Sequence, residues 1–132
     1  MQYFKLHAAQ FLVLLFICIT FLFSGFEKIF QWKINLEFYT KHFETTFIKN
    51  HINYLLVFIL FGEIICGFSA ILAIVQIFFN DKSSFGFFTC IFAALLLLSM
   101  LIGQRIAKDY PGAMNITVYF IVTILGILLM RY

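Results

Sequence analysis

The residue best placed for chemistry in this chain is Glu63, which stands inside a long apolar run. At about 1.5 Å per residue, a position some nine to eleven residues into a helix lies roughly 13–16 Å from its start. A carboxylate at that depth must be protonated, paired or hydrated, and ionisable groups inside membranes usually face the bundle interior and often mark functional sites. Glu63 is therefore the first-ranked candidate site residue.

Cationic residues that approach Glu63 from one end of the predicted bundle are Lys28, Arg105 and Lys108. Arg105 is the favoured partner: if the third helix continues through Lys108, Arg105 lies about one turn inside its end, and its guanidinium offers a carboxylate two parallel donors. The remaining polar residues of this cluster are Ser24, Glu27, Gln104, Asp109 and Asn115. Two interpretations stay open: a polar, partly hydrated pocket, or a buried ion pair that fixes helix register.

Other kinds of site are weakly indicated. The three histidines lack metal-ligand spacing, so no metal is predicted. The three cysteines lie singly inside apolar runs, which is typical of small packing residues and not of a disulfide framework or a dithiol. Nine Lys and Arg against six Asp and Glu are spread along the chain without a basic block, which excludes nucleic acid as a partner. No catalytic residue follows from these patterns.

The elements that position these residues are membrane spans. The 132 residues are 64% hydrophobic and 11% charged, with a mean hydropathy of +1.03, which excludes a soluble globular domain. Four runs reach the roughly 20 residues that a helix needs to cross the hydrocarbon. They lie at about 8–26, 52–79, 85–103 and 113–130. The predicted fold class is an all-α membrane protein, a single four-transmembrane-helix bundle, with the lipid bilayer as its first partner.

The connection at residues 27–51 is the longest and is predicted to contain an amphipathic helix at about 36–49, capped by Asn35. Its apolar positions are Leu36, Tyr39, Phe43 and Phe47. We expect this helix to lie in the membrane interface, with a lid over a site or a docking surface as the alternative. The polar connection at 80–84 makes its two flanking helices antiparallel neighbours, and Tyr110-Pro111-Gly112 fits a type II turn.

The second span carries a stripe of small and polar residues on one face, at alternating spacings of four and three. The stripe comprises Gly62, Cys66, Ser69, Ala73 and Gln76, adjoined by Gly67 and Ala70. Small residues let helix backbones approach closely in membranes, so this face is expected to pack against other helices.

Four spans place both termini on one side of the membrane, and the basic residues divide unequally between the two sides. The side with the termini holds Lys5, Lys82 and Arg131. The other holds Lys28, Lys33, Lys41, Lys49, Arg105 and Lys108. The positive-inside rule therefore points the termini away from the cytoplasm.

Three segments resemble the DoxX-like family of small bacterial membrane proteins. Ser-Gly-Phe-Glu-Lys-Ile-Phe at 24–30 is similar to the family's Gly-x-x-Lys ending of the first helix, and Phe-Gly-Glu-Ile-Ile-Cys-Gly-Phe at 61–68 to its Glu-x-x-x-Gly pattern. The sequence GQRIAKDYPGAMN at 103–115 resembles the third connection of short members. Matching positions are Gly25, Lys28, Glu63 and Gly67, which makes Gly25 a further packing residue, and Arg105 to Gly112.

The resemblance implies a four-helix bundle in the bacterial cytoplasmic membrane, with the termini in the cytoplasm, opposite to the charge count. Family members are associated with membrane redox systems, including a quinone-linked thiosulfate oxidoreductase, and with complexes for oxidative-stress resistance. This chain departs from redox use in having neither paired cysteines nor histidines inside its spans, where a haem would need them. The residues themselves establish no cofactor, and the resemblance suggests a quinone.

Three functions are ranked from these observations. The first is a non-enzymatic subunit or accessory component of a membrane complex, with other membrane proteins or further copies of the chain as partners. The second is a quinone-associated redox subunit with Glu63 and Arg105 in a polar pocket. The third is a small transporter, for which no inverted repeat or broken helix is apparent.

Overall fold

The computed structural model of the protein describes residues 2–80 and 82–131, with side chains from residue 7 onward. Throughout these ranges the regular structure is helical. The α-helices are α1 (Gln2–Phe30), α2 (Trp32–His42), α3 (Ile52–Asn80), α4 (Ser84–Ile106) and α5 (Tyr110–Met130), and a 3-10 turn covers Lys49–His51. Four of these helices, α1, α3, α4 and α5, are long and apolar enough to cross a membrane. The predicted fold class, an all-α four-helix membrane bundle, is confirmed.

Helix packing follows from small residues at the contacts. α1 packs most extensively on α3, and α4 on α5. Gly67 and Gly25 lie at the α1–α3 contact, where Leu22 and Ile64 pack against their Cα atoms, and Gly62 faces Leu96 of α4. Close backbone approach at such contacts increases the van der Waals packing that helps helices associate in lipid. Apolar side chains gain little by moving from lipid, which is itself apolar, into a helix contact.

The two ends of the bundle differ in what they contain. Gln10 Nε2 donates to the carbonyl of Leu129 at 2.9 Å, so the early part of α1 and the end of α5 meet at one end. The polar connection between α3 and α4 was predicted at 80–84, of which Asp81 lies outside the described residues. The opposite end contains α2, the start of α3 and the α4–α5 connection, and is called the α2 end below.

The helix between the first two spans is shorter and begins earlier than predicted. It covers 32–42 instead of 36–49, because the Gln31 amide donates to the Glu27 carbonyl at 2.9 Å and the Asn35 amide to the Gln31 carbonyl at 3.0 Å, which continues helical bonding across the α1–α2 junction. Asn35 is therefore inside the helix and not its cap. Beyond His42 the chain makes turns, and Phe47 is exposed, so the predicted apolar stripe ends at Phe43.

The predicted type II turn at Tyr110-Pro111-Gly112 is wrong, because these residues form the first turn of α5. Asp109 caps that helix, and its carboxylate accepts from the Gly112 amide at 3.0 Å. Proline is favoured in a first turn, where its missing N–H would have had no partner in the helix. The same sequence pattern that marks a turn therefore begins a helix here.

Lys108 has a positive φ of 60°, the left-handed backbone region that favours glycine. It follows the end of α4 in a Schellman motif, in which the Asp109 amide donates to the Gln104 carbonyl at 2.9 Å and the Lys108 amide to the Arg105 carbonyl at 3.2 Å. Lys108 is exposed and has this local role at the end of α4, so it does not lie beside Glu63 as the sequence predicted.

Replacing Lys108 by glycine is expected to raise the free energy of unfolding by about 0.5–1 kcal/mol, because the left-handed conformation costs an L-residue about 1–2 kcal/mol and glycine loses part of that gain to chain entropy. Thermal unfolding in mild detergent measures the change. Lys108→Ala is the matched control, since it removes the charge and keeps the strain. An equal gain from both variants would attribute the effect to the charge.

Candidate functional site

Glu63 pairs with Lys28 inside the bundle. Lys28 Nζ lies 2.7 Å from Glu63 Oε1, and the two side chains are 7% and 1% exposed. The same ammonium donates to Ser24 Oγ, one turn earlier on α1, at 2.8 Å. Glu63 Oε1 nevertheless accepts no well-aligned hydrogen bond from the described residues, so its contact with Lys28 is an ion pair without good hydrogen-bond geometry.

The partner of Glu63 is therefore Lys28 and not Arg105, which the sequence favoured. The reason lies in the α1–α3 contact, where Gly25 and Gly67 bring the backbones close enough for a side chain near the end of α1 to meet the middle of α3. Arg105 is exposed and stacks on Tyr110, with its guanidinium carbon 5.2 Å from the ring centroid. It borders a separate shallow groove with residues of early α5.

A second polar group joins α2 to the α4–α5 connection. His42 Nε2 lies 3.2 Å from Gln104 Oε1 and 3.4 Å from Asp109 Oδ2. Because an amide oxygen only accepts, the His42 N–H donates to Gln104. The Asp109 carboxylate also caps α5, so one side chain serves two contacts. This group fixes the end of α2 against the bundle.

Seven of the residues predicted to form one polar cluster thus separate into three sets. Lys28 and Glu63 form the buried pair, and Gln104 and Asp109 belong to the group around His42. The exposed set consists of Glu27, Arg105 and Lys108. Sequence analysis missed His42, because its contacts are about 62 residues away in the chain. Ser24, which the sequence placed in the cluster, lies one helical turn from Lys28 and accepts from it.

A cavity of about 370 Å³ lies at the α2 end, and Lys28 forms part of its wall. Its sides are the first turns of α3 and the last turns of α4, and Tyr39 of α2 and Phe43, the residue that follows α2, line it as well. Most of the lining is apolar. Lys28 and Gln104 are among its polar lining residues, and both belong to the polar groups described above. A volume of this size falls within the range of small-molecule sites.

The small-residue face of α3 points inward. Gly62, Gly67 and Ala73 are buried, and Ser69 Oγ lies 2.5 Å from Thr89 Oγ1 of α4. Two further packing glycines, Gly86 and Gly126, were not singled out by the sequence, and they face methionine and cysteine sulfurs respectively. Gly86 begins a repeat of small residues with Cys90 and Ala94 at intervals of four, so the sequence did carry a signal for it, whereas Gly126 lies in no such repeat.

No protein-family model matches this chain, and neither a curated protein nor a solved structure matches it. Over the part of the chain that the structure describes, no three histidine, cysteine or acidic side chains are grouped as a metal site would require. The features that bear on function are therefore the buried ion pair, the group around His42 and the cavity between them.

Proposed function

We propose that this protein is a DoxX-like membrane protein that acts as a non-enzymatic subunit or accessory component of a complex in the bacterial cytoplasmic membrane. The observation that supports this proposal is the difference between the interior of the bundle and its outer surface. The buried ionic side chains Lys28 and Glu63 neutralise each other, whereas all four spans present large apolar side chains outward, among them Phe23, Phe68 and Leu128. Such faces are suited to contact with lipid and with other membrane helices.

The experiment is affinity purification of the tagged protein from native membranes in a gentle detergent, followed by mass spectrometry. A membrane protein recovered in a fixed ratio to the bait supports the proposal, and a bait that runs as a monomer without partners overturns it. Two matched variants locate the contact. One variant changes Phe61 and Phe68 on the outer side of α3 to leucine, and the other changes Phe88 and Phe92 on the outer side of α4 to leucine. Only one of these variants should lose the partner.

A quinone-associated redox role is the second candidate, and the cavity at the α2 end favours it over a transporter. In this version Lys28, and not Arg105, stands beside the quinone, and Glu63 relays a proton. Glu63→Gln should then abolish quinone-dependent electron transfer and leave assembly intact. If assembly fails and quinone binding persists, the subunit role is favoured instead.

The orientation of the termini is a further prediction. Lys28 is neutralised inside the bundle, yet five exposed basic residues remain at the α2 end, and the positive-inside rule places that end in the cytoplasm. In a variant without native cysteines, the thiol of Lys33→Cys should resist an impermeant thiol reagent in intact cells, and that of Lys82→Cys should react. The reverse pattern would agree with the family resemblance and contradict the charge rule.

A further inference from the structure

We infer that the cavity at the α2 end binds an uncharged amphiphile whose headgroup carries a hydrogen-bond-accepting carbonyl and whose tail is a single apolar chain. The inference does not depend on a subunit or redox role for the protein. Two features carry it: hydrogen-bond donors with unused capacity at the wall, and the electrical neutrality of the ion pair beside them.

Two residues of the cavity wall, Lys28 and Gln104, carry N–H groups that no described residue accepts. A lysine ammonium has three N–H groups, and Lys28 directs one to Ser24 and one toward Glu63. Its third N–H has no acceptor among the described residues, and Lys28 is one of the residues that line the cavity. Gln104 accepts from His42 through its oxygen, and its amide nitrogen donates to none of the described residues. A ligand that complements these groups must supply acceptors.

The charge of the ligand follows from the ion pair. Lys28 and Glu63 sum to zero, so an anionic headgroup would leave a net negative charge in a buried site, and a cationic one would lie against the ammonium. Uncompensated charge is costly inside a membrane protein, whereas a neutral carbonyl accepts a hydrogen bond without adding charge. The wall therefore selects an uncharged acceptor.

The tail chemistry follows from the remaining walls. Ile52, Leu56 and Ile59 of α3 face Met100 of α4 across the cavity, and these side chains match an acyl or prenyl chain. Phe58 and Ile102 also border the cavity and are exposed on the outer faces of the same helices. This places the opening between α3 and α4 on the lipid-facing side, so an amphiphile can enter sideways from the bilayer.

Photolabelling in liposomes tests the inference with a monoacylglycerol that carries a diazirine in its acyl chain. Peptides covering the start of α3 and the end of α4 should be labelled above the rest of the lipid-facing surface. Gly103→Leu should lower this labelling at least about tenfold, because a side chain there enters the cavity, where an added Cβ meets only Phe43 at 3.7 Å. Ala9→Leu, at an exposed position of α1, is the control and should leave the labelling unchanged.

Competition identifies the headgroup. Excess unlabelled monoacylglycerol or a short-chain quinone should displace the probe, and the stronger competitor tells a glycerolipid source from a quinone source. Oleate and octadecane should compete poorly, since one adds a charge and the other lacks an acceptor. Gln104→Leu keeps a side chain of similar size and removes the amide donor, so it should lower the labelling about tenfold. Even labelling of the lipid-facing surface, or displacement by octadecane as effective as by the carbonyl compounds, would overturn the inference.

Discussion

Replacing Lys28 by methionine is expected to lower the free energy of unfolding by about 3–5 kcal/mol. The substitution leaves the Glu63 carboxylate, which is 1% exposed, without its counter-charge. The attraction of a buried pair is largely offset by the cost of desolvating both charges, so the loss reflects the stranded carboxylate more than the pair itself. Thermal and denaturant unfolding in mild detergent measure it.

The double variant Lys28→Met, Glu63→Met separates these two contributions. It strands no charge, so it should recover most of the stability that either single change removes, and the double-mutant cycle should give a coupling of at least about 2 kcal/mol. Arg105→Met is the control and should stay within about 0.5 kcal/mol of the wild type, because Arg105 is exposed. A large loss on Arg105→Met with a small loss on Lys28→Met would restore the pairing that the sequence favoured.

The outcome of this cycle bears on what the pair is for. Buried ion pairs can often be replaced by apolar residues at no cost in stability. If the double variant is as stable as the wild type, the fold does not need Lys28 and Glu63, and the presence of Lys28 at the cavity wall with Glu63 as its counter-charge is better explained by the ligand proposed above. If the double variant remains destabilised, the pair acts as a brace between α1 and α3.

The fold class was predictable because bilayer thickness sets the length of apolar runs that a spanning helix needs. The four spans were recognised on that ground alone. Their ends were less predictable, because backbone hydrogen bonding and capping decide them. Asn35 carries a cap's side chain but lies in a helix that had already begun at Trp32, and Pro111 marks a helix start where a turn was expected.

The candidate site was only half predictable. Glu63 was identified because a carboxylate in an apolar run needs an explanation, and Lys28 was among its three possible partners. The choice among those partners depends on which helices touch, and this is decided by Gly25 and Gly67 at the α1–α3 contact. Guanidinium geometry favoured Arg105, but side-chain chemistry has no weight when the backbone places the group elsewhere.

The second large effect is expected at Gly67, where alanine should lower the free energy of unfolding by about 1–3 kcal/mol. A methyl group at this position would overlap Leu22 Cγ and Cδ2 and would lie 3.4 Å from the Leu22 backbone nitrogen. Because the backbone of α1 is itself close, moving the leucine side chain does not clear the contact fully, and α1 must shift away from α3. That shift would also separate Lys28 from Glu63.

Gly103→Ala provides the matched comparison, since an added Cβ there meets its nearest neighbour, Phe43, at 3.7 Å, an ordinary contact distance. Both glycines lie inside helices, so alanine gains the same helix propensity at each, about 0.5–1 kcal/mol. The difference between the two variants in thermal unfolding therefore isolates the steric cost of separating α1 from α3. Equal stability of the two variants would mean that the α1–α3 contact tolerates a side chain, and the close approach that lets Lys28 reach Glu63 would need another cause.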